Sequence, residues 1–293
     1  MKEIRSWNWW LVLLALVGLT GTTVFGQERS ARPEKTGNPK PAAAVSKAAQ
    51  ADPVPIKPME ELKLKTDSFT FVRLKYAVDP DFPGHNGNER WSIDYPESDR
   101  KFSAWFQKTT GLKTDLEGKV MEITAPELKQ YPFVYIVEPG RILFSEKEVA
   151  ALREYLLGGG FLMLDDFWGE REWAQAAREF KKVFPEQESV ELPIEHPIFH
   201  CYYDIKQKPQ VPNFALGIES QYTGVTWERE DAKEPHFRGL FDAKGRLMVI
   251  FCHNTDLGDG WEHEGKNAYF SKEFSRKKAY PLGINIVLYA LSQ

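Results

Sequence analysis

The feature that most constrains the fold is a strand–helix–strand unit within residues 133–164. Its two outer segments, FVYIV and FLML, are continuously apolar, which is typical of strands buried on both faces of a sheet. The helix between them starts with a capping box formed by Ser145 and Glu148 and ends at the glycines 158–160. Such a crossover joins parallel strands with a right hand. We therefore predict a mostly parallel sheet covered by helices on both faces.

Further elements extend this pattern in both directions. Strands are predicted over residues 69–77, 120–124, 133–137 and 161–164, and helices over residues 98–111, 145–157 and 170–183. Ser98 or Asp99 is the expected N-cap of the first helix. After Pro185 the predicted elements are strands over 224–230, 236–241 and 246–252 and a closing helix over 280–292. We predict one three-layer α/β domain over residues 68–293, with an antiparallel β excursion in its second half.

The amino terminus is predicted to lie outside this domain. Residues 1–26 combine Lys2 and Arg5 with an apolar run and small residues near position 26, which is the layout of a signal peptide. An uncleaved anchor is the alternative, because residues 7–26 could just span a bilayer. Residues 27–67 are rich in proline and alanine and are predicted to be a disordered tether. We expect a periplasmic or secreted protein that touches a membrane only if the signal segment is retained.

Composition excludes one class of partner. The formal net charge of -4 over 293 residues gives no basic surface for nucleic acid. The two cysteines, Cys201 and Cys252, could pair in an oxidising compartment, but two buried free thiols are the simpler expectation. Nothing in the sequence identifies a protein partner or an oligomeric state.

Polar side chains stand where the predicted parallel strands end. Glu138 follows one strand, Asp165 and Asp166 follow the next, and His253 follows a third. In open α/β sheets, ligands bind beyond the carboxyl ends of the strands. An aspartate in front of a helix can instead cap its free amides. We predict that Asp166 caps the helix, while Asp165 and His253 form a catalytic acid–base pair.

Residues around this edge are the predicted ligand-binding set. The loop after His253 is dense in polar groups and contains two glycines that let the backbone turn tightly. Indole faces beside carboxylates suit a sugar ring, although core packing is the alternative for each tryptophan. Arg73 is expected to pair with Glu138 or Asp165, or to lie on a solvated face. The predicted ligand-binding residues are Trp91, Asp94, Glu138, Asp166, Trp168, Asn254, Asp256, Asp259 and Trp261.

Two histidines form a candidate metal pair. His196 and His200 flank Pro197, and a spacing of four on a short helix places both rings on one side. The alternative is that one ring caps the turn and the other packs in the core. No HExxH-type motif accompanies the pair. No cofactor is certain, and a divalent metal is the one that these residues suggest.

The chain contains the long motifs FVRLKYA, DYPESDRKFS, YPFVYIVEPG, FSEKEVAALREYLLGGGFLMLDDFWGE, ELPIEHPIFH, RGLFDAKGRLMVIFCHNTDLGDGWE and AYPLGINIVLYAL. Together they resemble one bacterial family, the domain of unknown function numbered 4159. The glycines after EYLL, the His-Pro-Ile at 196–198, the Gly245-Arg246 pair before a strand that ends in a histidine, and a final helix with Asn285 carry a weaker resemblance, to the ThuA-like branch of the class I glutamine amidotransferase-like superfamily. This second resemblance implies a flavodoxin-like sheet.

The resemblance does not extend to the reaction of that superfamily. Glutamine amidotransferases use a cysteine nucleophile after the strand that ends here in Asp165 and Asp166. Because a carboxylate cannot replace that thiolate, glutaminase activity is not expected. Three functions stay open: an exported domain that binds a small polar ligand such as a carbohydrate, a metal-assisted or acid–base hydrolase, and a tethered envelope scaffold.

Overall fold

The mostly parallel sheet predicted from the sequence is present. A computed structural model describes residues 55, 57–82 and 89–293, so the predicted signal peptide and most of the predicted tether lie outside the described residues. The strands are β1 (Ser68–Lys75), β2 (Ala77–Val78), β3 (Lys113–Glu122), β4 (Phe133–Val137), β5 (Ile142–Leu143), β6 (Phe161–Phe167), β7 (Val190–Glu191), β8 (His236–Phe241) and β9 (Leu247–His253). Seven of them form one sheet in the order β3–β1–β4–β6–β9–β8–β7, and β2 pairs with β5.

Helices connect and cover these strands. They are α1 (Glu97–Thr110), α2 (Glu146–Leu157), α3 (Gly169–Val183), α4 (Phe214–Thr223), α5 (Leu257–Glu262), α6 (Ala268–Phe270) and α7 (Tyr280–Ser292). A π-helical segment, Ser271–Ala279, joins α6 to α7. Short 3-10 helices occur at Met59–Glu61, Arg90–Ser92, Pro126–Gln130, Pro139–Arg141 and Pro197–Phe199.

The order of the parallel strands determines where a site can form. Strands β3, β1, β4, β6 and β9 are mutually parallel, whereas β8 and β7 continue the sheet in antiparallel pairing. Numbered along the chain, the parallel strands lie in the order 2-1-3-4-5. The order therefore reverses between β1 and β4. In such sheets a crevice opens at this point, outside the carboxyl ends of the strands.

Alternating side chains of the parallel strands feed two separate hydrophobic clusters. In β4, Phe133 and Tyr135 belong to one cluster with the apolar residues of α1 and α7. Val134 and Ile136 belong to the other, with residues of α2 and α3. This period of two buries both faces of the sheet and produces three layers, as predicted.

Several predicted boundaries differ from the structure. Residues 224–230 are not a strand, because Gly224 ends helix α4, which the sequence pattern did not reveal. Strand β6 continues to Phe167 and includes the aspartate doublet. Neither Ser98 nor Asp99 caps α1, whose N-cap is Pro96 without a side-chain hydrogen bond. Asp99 instead pairs with a buried arginine of β1.

The end of the predicted tether packs against the domain. Met59, Leu62 and Leu64 lie against the cluster that includes α1 and α7, and the Lys65 amide donates to the Leu291 carbonyl. These three apolar side chains bury surface that a tether would leave in water. No helix among the described residues is long and apolar enough to cross a membrane.

The capping box of α2 gives a direct test of the local sequence reading. Ser145 accepts from the Glu148 amide, and the Glu148 carboxylate accepts from the Ser145 amide, as predicted. We expect Ser145→Ala to lower the free energy of unfolding by about 1 kcal/mol. Urea denaturation measures the loss, and Ser145→Asp, which keeps a capping oxygen, is the matched control. An unchanged midpoint for the alanine variant would contradict this role.

Candidate functional site

A cavity of about 240 Å³ lies at the carboxyl edge of the sheet. Its walls come from the loops that follow β1, β4, β6 and β9, and from the segment after α4. Seven carboxylates line it: Asp94, Glu138, Asp166, Glu172, Glu228, Asp256 and Asp259. The remaining lining residues are Ile93, Arg141, Trp168, Asn213 and Arg229. The cavity therefore joins the two strands between which the strand order reverses.

The backbone around this cavity is held in a sparsely populated conformation. Among the described residues, four that are not glycine have positive φ: Asp94 (63°), Glu138 (48°), Asp166 (59°) and Asn254 (61°). The first three line the cavity, and Asn254 lies beside it in the loop after β9. Left-handed backbone at residues with a Cβ costs free energy and clusters at functional sites. All four examples fall at this edge.

A larger cavity lies at the opposite edge of the sheet. Its volume is about 510 Å³, and it is lined by segments that precede β1, β4 and β6, including Thr66, Tyr131 and Gly159. Size alone would favour it. The smaller cavity is the better candidate because it lies at the carboxyl edge and collects charged side chains on strained backbone.

Asp165 anchors one wall of the site. Its side chain is fully buried, and Oδ2 accepts from the Leu257 and Gly258 amides (2.9 and 3.0 Å) and from the Tyr135 hydroxyl (3.2 Å). These bonds fasten the loop after β9 to β6. Burial raises the pKa of Asp165 to about 7, against the opposing effect of the hydrogen bonds. Its predicted catalytic role stays a prediction, and its contacts are those of a structural anchor.

Asp166 does not cap the following helix, contrary to the prediction. Helix α3 has Trp168 at its N-cap position. The amides of Trp168, Gly169 and Glu170 donate hydrogen bonds to the side chains of Glu172, Asn254 and Asp231, respectively. The prediction failed because β6 runs through Asp166, which then turns in the left-handed region. Asp166 instead lines the cavity and accepts from the Trp168 indole N–H at 3.0 Å.

His253 is buried away from the cavity lining. Its Nδ1 accepts from Arg238 (2.9 Å), so its Nε2 carries the proton and donates to the Gly169 carbonyl (3.1 Å). Burial lowers the pKa of His253 to about 3. Both ring nitrogens are therefore occupied by structural hydrogen bonds, and the proposed pairing with Asp165 as base and acid stays a prediction without support from these contacts.

Arg73 pairs with none of its predicted partners. It is fully buried and forms an ion pair with Asp99 (2.6 Å). It also donates to the carbonyls of Trp91 (3.0 Å) and Ile93 (2.9 Å). Glu138, one of the predicted partners, pairs with Arg90 at 2.8 Å. Arg73 therefore fixes the segment that places Asp94 at the cavity.

The three candidate tryptophans have different environments. Trp168 lines the cavity, although only 3% of its surface is exposed. Trp261 is fully buried in the core, with its ring 4.6 Å from that of Phe102. Trp91 is half-buried, and the Lys75 ammonium lies 5.0 Å from its ring centre. Of these three tryptophans, Trp168 lines the cavity, and Trp91 and Trp261 do not.

The loop after β9 is partly helical and rich in local hydrogen bonds. Asp256 is the N-cap of α5, where its Oδ1 accepts from the Asp259 amide at 2.7 Å. Asp259 Oδ2 accepts from the Phe214 amide at 2.6 Å. Asn254 accepts from the Gly169 amide and donates to the Glu234 carbonyl. Asp256 and Asp259 line the cavity, and Asn254 supports its wall.

The histidine pair predicted to bind metal has other partners. His196 Nδ1 accepts from the Ile198 amide at 3.2 Å and caps the 3-10 helix Pro197–Phe199. Both nitrogens of His200 are engaged, with Asp204 (2.6 Å) and with the Ile194 carbonyl (2.7 Å). In the described part of the chain, two other groups bring three potential ligands within 4.8 Å: Asp94, Asp256 and Asp259, and Asp259, Glu262 and His263.

Burial and neighbouring negative charge together disfavour the ionised carboxylates of the cavity. Burial, followed by neighbouring carboxylates, raises the pKa of Asp94, Asp166 and Asp256 well above the usual range. Burial also raises the pKa of Glu138 and Glu228. Ion pairs link Glu138 to Arg90 and Glu172 to Arg229. The cavity therefore favours bound protons, cations or hydrogen-bond donors.

Six lining residues were not predicted from the sequence: Ile93, Arg141, Glu172, Asn213, Glu228 and Arg229. Glu172 fell in a predicted helix and was not singled out, and Glu228 and Arg229 fell in a segment wrongly predicted to be a strand. The signal that could have found Glu172 is the acidic first turn of α3. The two cysteines, by contrast, are free thiols, as predicted.

The fold and the site together define the class of this protein. It is an α/β domain with an acidic cavity at the carboxyl edge of its parallel strands. The family model described as "Domain of unknown function (DUF4159)" matches residues 70–291. The chain belongs to this family, as its motifs indicated. A comparison with curated proteins found no match.

Proposed function

We propose that this is an exported domain that binds a small, hydroxyl-rich or amino-bearing ligand, such as a carbohydrate, in the acidic cavity. The observation that carries the proposal is the convergence of seven carboxylates on one cavity at the carboxyl edge. Buried carboxylates are costly unless they are hydrogen-bonded or paired. A ligand that donates hydrogen bonds or carries positive charge offsets that cost.

The size of the cavity limits the ligand. A volume of about 240 Å³ is below the range of pockets for drug-sized molecules, which begins near 300 Å³. A single sugar ring or a small amine is the appropriate scale. Hydroxyl groups can donate to Asp166 and Glu228 and accept from Arg229. Among the described residues that line the cavity, Trp168 alone is aromatic, so recognition rests on hydrogen bonds more than on stacking.

The flavodoxin-like, class I glutamine amidotransferase-like relationship is part of this proposal. The strand order 2-1-3-4-5 supports it, since flavodoxin-like sheets have the same order. Glutaminase activity is not proposed. The carboxyl end of β6 carries Asp165 and Asp166, and burial raises the pKa of both Cys201 and Cys252, so neither thiol is activated.

A hydrolase is the second candidate function, and Asp166 supports it. The raised pKa of Asp166 suits a general acid, and Asp166 lies in the cavity beside Glu138, whose charge adds to the effect of burial on that pKa. Export itself rests on the sequence of residues 1–26.

A thermal-shift screen of the purified protein against monosaccharides, polyols, amino sugars and small amines tests the proposal. We expect at least one compound to raise the melting temperature of the wild type, because a ligand that binds only the folded state stabilises it. In Asp166→Asn the affinity for that compound should fall by about tenfold or more, since a carboxylate acceptor is lost. Calorimetric titration gives both affinities.

Asp67→Asn is the matched control. Asp67 is exposed and immediately precedes β1, at the opposite edge of the sheet, so its replacement should leave the affinity unchanged. Equal affinities in wild type and Asp166→Asn would contradict binding in this cavity. A cleaved product of the ligand in the same titration would favour the hydrolase.

A further inference from the structure

We infer that Asp94, Asp256 and Asp259 form a site for a hard divalent cation of the Ca²⁺ or Mg²⁺ class. This inference deepens the proposed function and rests on it, because the cation would lie at the wall of the same cavity. Each aspartate offers one carboxylate oxygen, and these oxygens lie within 4.8 Å of one another. Oxygen-only ligands of this kind select hard cations over zinc or copper.

An unpartnered atom points to a ligand at this position. Asp94 Oδ2 is fully buried and has no hydrogen-bond partner among the described residues. A buried carboxylate oxygen without a donor is costly, and native structures rarely leave one unexplained. Asp94 also holds a left-handed backbone conformation, with φ of 63°. The chain thus accepts strain to bring this oxygen to the other two aspartates.

The neighbouring glycine leaves the room that this arrangement needs. A Cβ at Gly258 would lie 2.5 Å from Asp94 Oδ2 and 3.4 Å from Asp256 Oδ1. Gly258 therefore lies between the two carboxylates, and any side chain there would push Asp94 away. The Gly258 amide does not satisfy Asp94, because it donates to Asp165 Oδ2.

The other two aspartates keep capacity to bind a cation. Asp256 uses Oδ1 to accept from the Asp259 amide, and Asp259 uses Oδ2 to accept from the Phe214 amide. These backbone bonds fix both side chains in place. Three carboxylates leave further coordination positions for water or for ligand hydroxyls from the adjoining cavity. The cation would therefore bridge the protein and the polar ligand.

Calorimetric titration of Ca²⁺, Mg²⁺ and Mn²⁺ into chelator-treated protein tests the inference. We expect saturable 1:1 binding of at least one of these ions to the wild type. Asp94→Asn and Asp256→Asn should each weaken it by about tenfold or more, because affinity follows the number of charged ligands. Asparagine keeps the capping oxygen at position 256, so α5 is preserved.

Melting temperatures separate a cation site from a merely structural carboxylate. Without cation, Asp94→Asn should be at least as stable as the wild type, because the variant removes a buried charge that is also repelled by Asp259. With cation, the wild type should gain stability and the variant should not. A variant that is destabilised without cation and still gains stability with it would overturn the inference.

Glu262→Gln tests the competing group of Asp259, Glu262 and His263. Unchanged cation affinity in this variant supports the three-aspartate site, and loss of affinity here but not in Asp94→Asn overturns it. No binding of any of the three ions at millimolar concentration also overturns it. If none of the three ions binds and the polar ligand still does, the cation site fails while the proposed function stands. If a cation binds and no screened compound does, the cation site stands and the proposed function fails.

Discussion

Arg73→Ala should be the most destabilising single substitution in the domain, lowering the free energy of unfolding by roughly 3–5 kcal/mol. Arg73 is fully buried, and its removal would leave the Asp99 carboxylate buried without its cation. It would also free the Trp91 and Ile93 carbonyls, which Arg73 holds in place. Asp94 directly follows Ile93 in the chain. Losing the bond to the Ile93 carbonyl should therefore also disturb the position of Asp94 at the cavity.

Denaturant unfolding and far-ultraviolet circular dichroism measure this effect. Arg100→Ala is the matched control, since Arg100 forms a solvent-exposed pair with Glu117 and such pairs contribute little to stability. The double variant Arg73→Met with Asp99→Leu should recover part of the loss, because it removes both buried charges. An Arg73→Ala protein within 1 kcal/mol of the wild type would contradict this role.

Ionisation of Asp165 should lower the stability of the protein as the pH rises from about 4 to about 7. His253 makes an opposite contribution, because its lowered pKa favours the folded state as the pH rises through most of the same range. Burial raises the pKa of Asp165 to about 7 in the folded state, whereas an unfolded aspartate has a pKa of about 3.9. Between these values Asp165 binds more protons in the folded state, so its contribution to stability falls with rising pH and levels off above about 7. The linkage relation assigns roughly 4 kcal/mol to this one group.

Asp165→Asn isolates that contribution. Asparagine keeps an acceptor for the Leu257 and Gly258 amides but cannot ionise. Between pH 4 and 7, Asp165→Asn should lose less stability, or gain more, than the wild type, whereas Asp67→Asn, in which the replaced aspartate is exposed, should follow the wild type. Chemical denaturation at a series of pH values gives the curves. Parallel curves for Asp165→Asn and the wild type would refute the pKa shift as the cause.

The layers of the fold could be predicted because short local sequence patterns specify its strands and helices. The run FVYIV is apolar at every position, and the structure buries all five residues of β4. The capping box at Ser145 and the glycines after α2 also act over a few residues. Helix α5 was missed because LGDGWE contains two glycines and two acidic residues, and its packing against β6 supplies what its helix propensity lacks.

The site could be predicted in position but not in the role of each residue. The carboxyl edge follows from strand ends, so Glu138, Asp166 and Asp256 were found. Their partners are set by contacts between distant parts of the chain, such as Arg73 with Asp99 or Asn254 with Gly169. A one-residue difference also exchanges the two faces of a strand. In the doublet, Asp165 lies inside the wall and Asp166 lines the cavity, as its place in the ligand-binding set predicted, whereas its predicted capping role was wrong.

The most direct measurement is a crystal structure of the protein soaked with the screened compound that stabilises it most. We expect its density in the cavity of about 240 Å³, with polar atoms within hydrogen-bond distance of Asp166 and Glu228. The larger cavity of about 510 Å³ at the opposite edge is the clear alternative. Density there, beside Tyr131 and Gly159, with the acidic cavity empty, would contradict binding at the carboxyl edge.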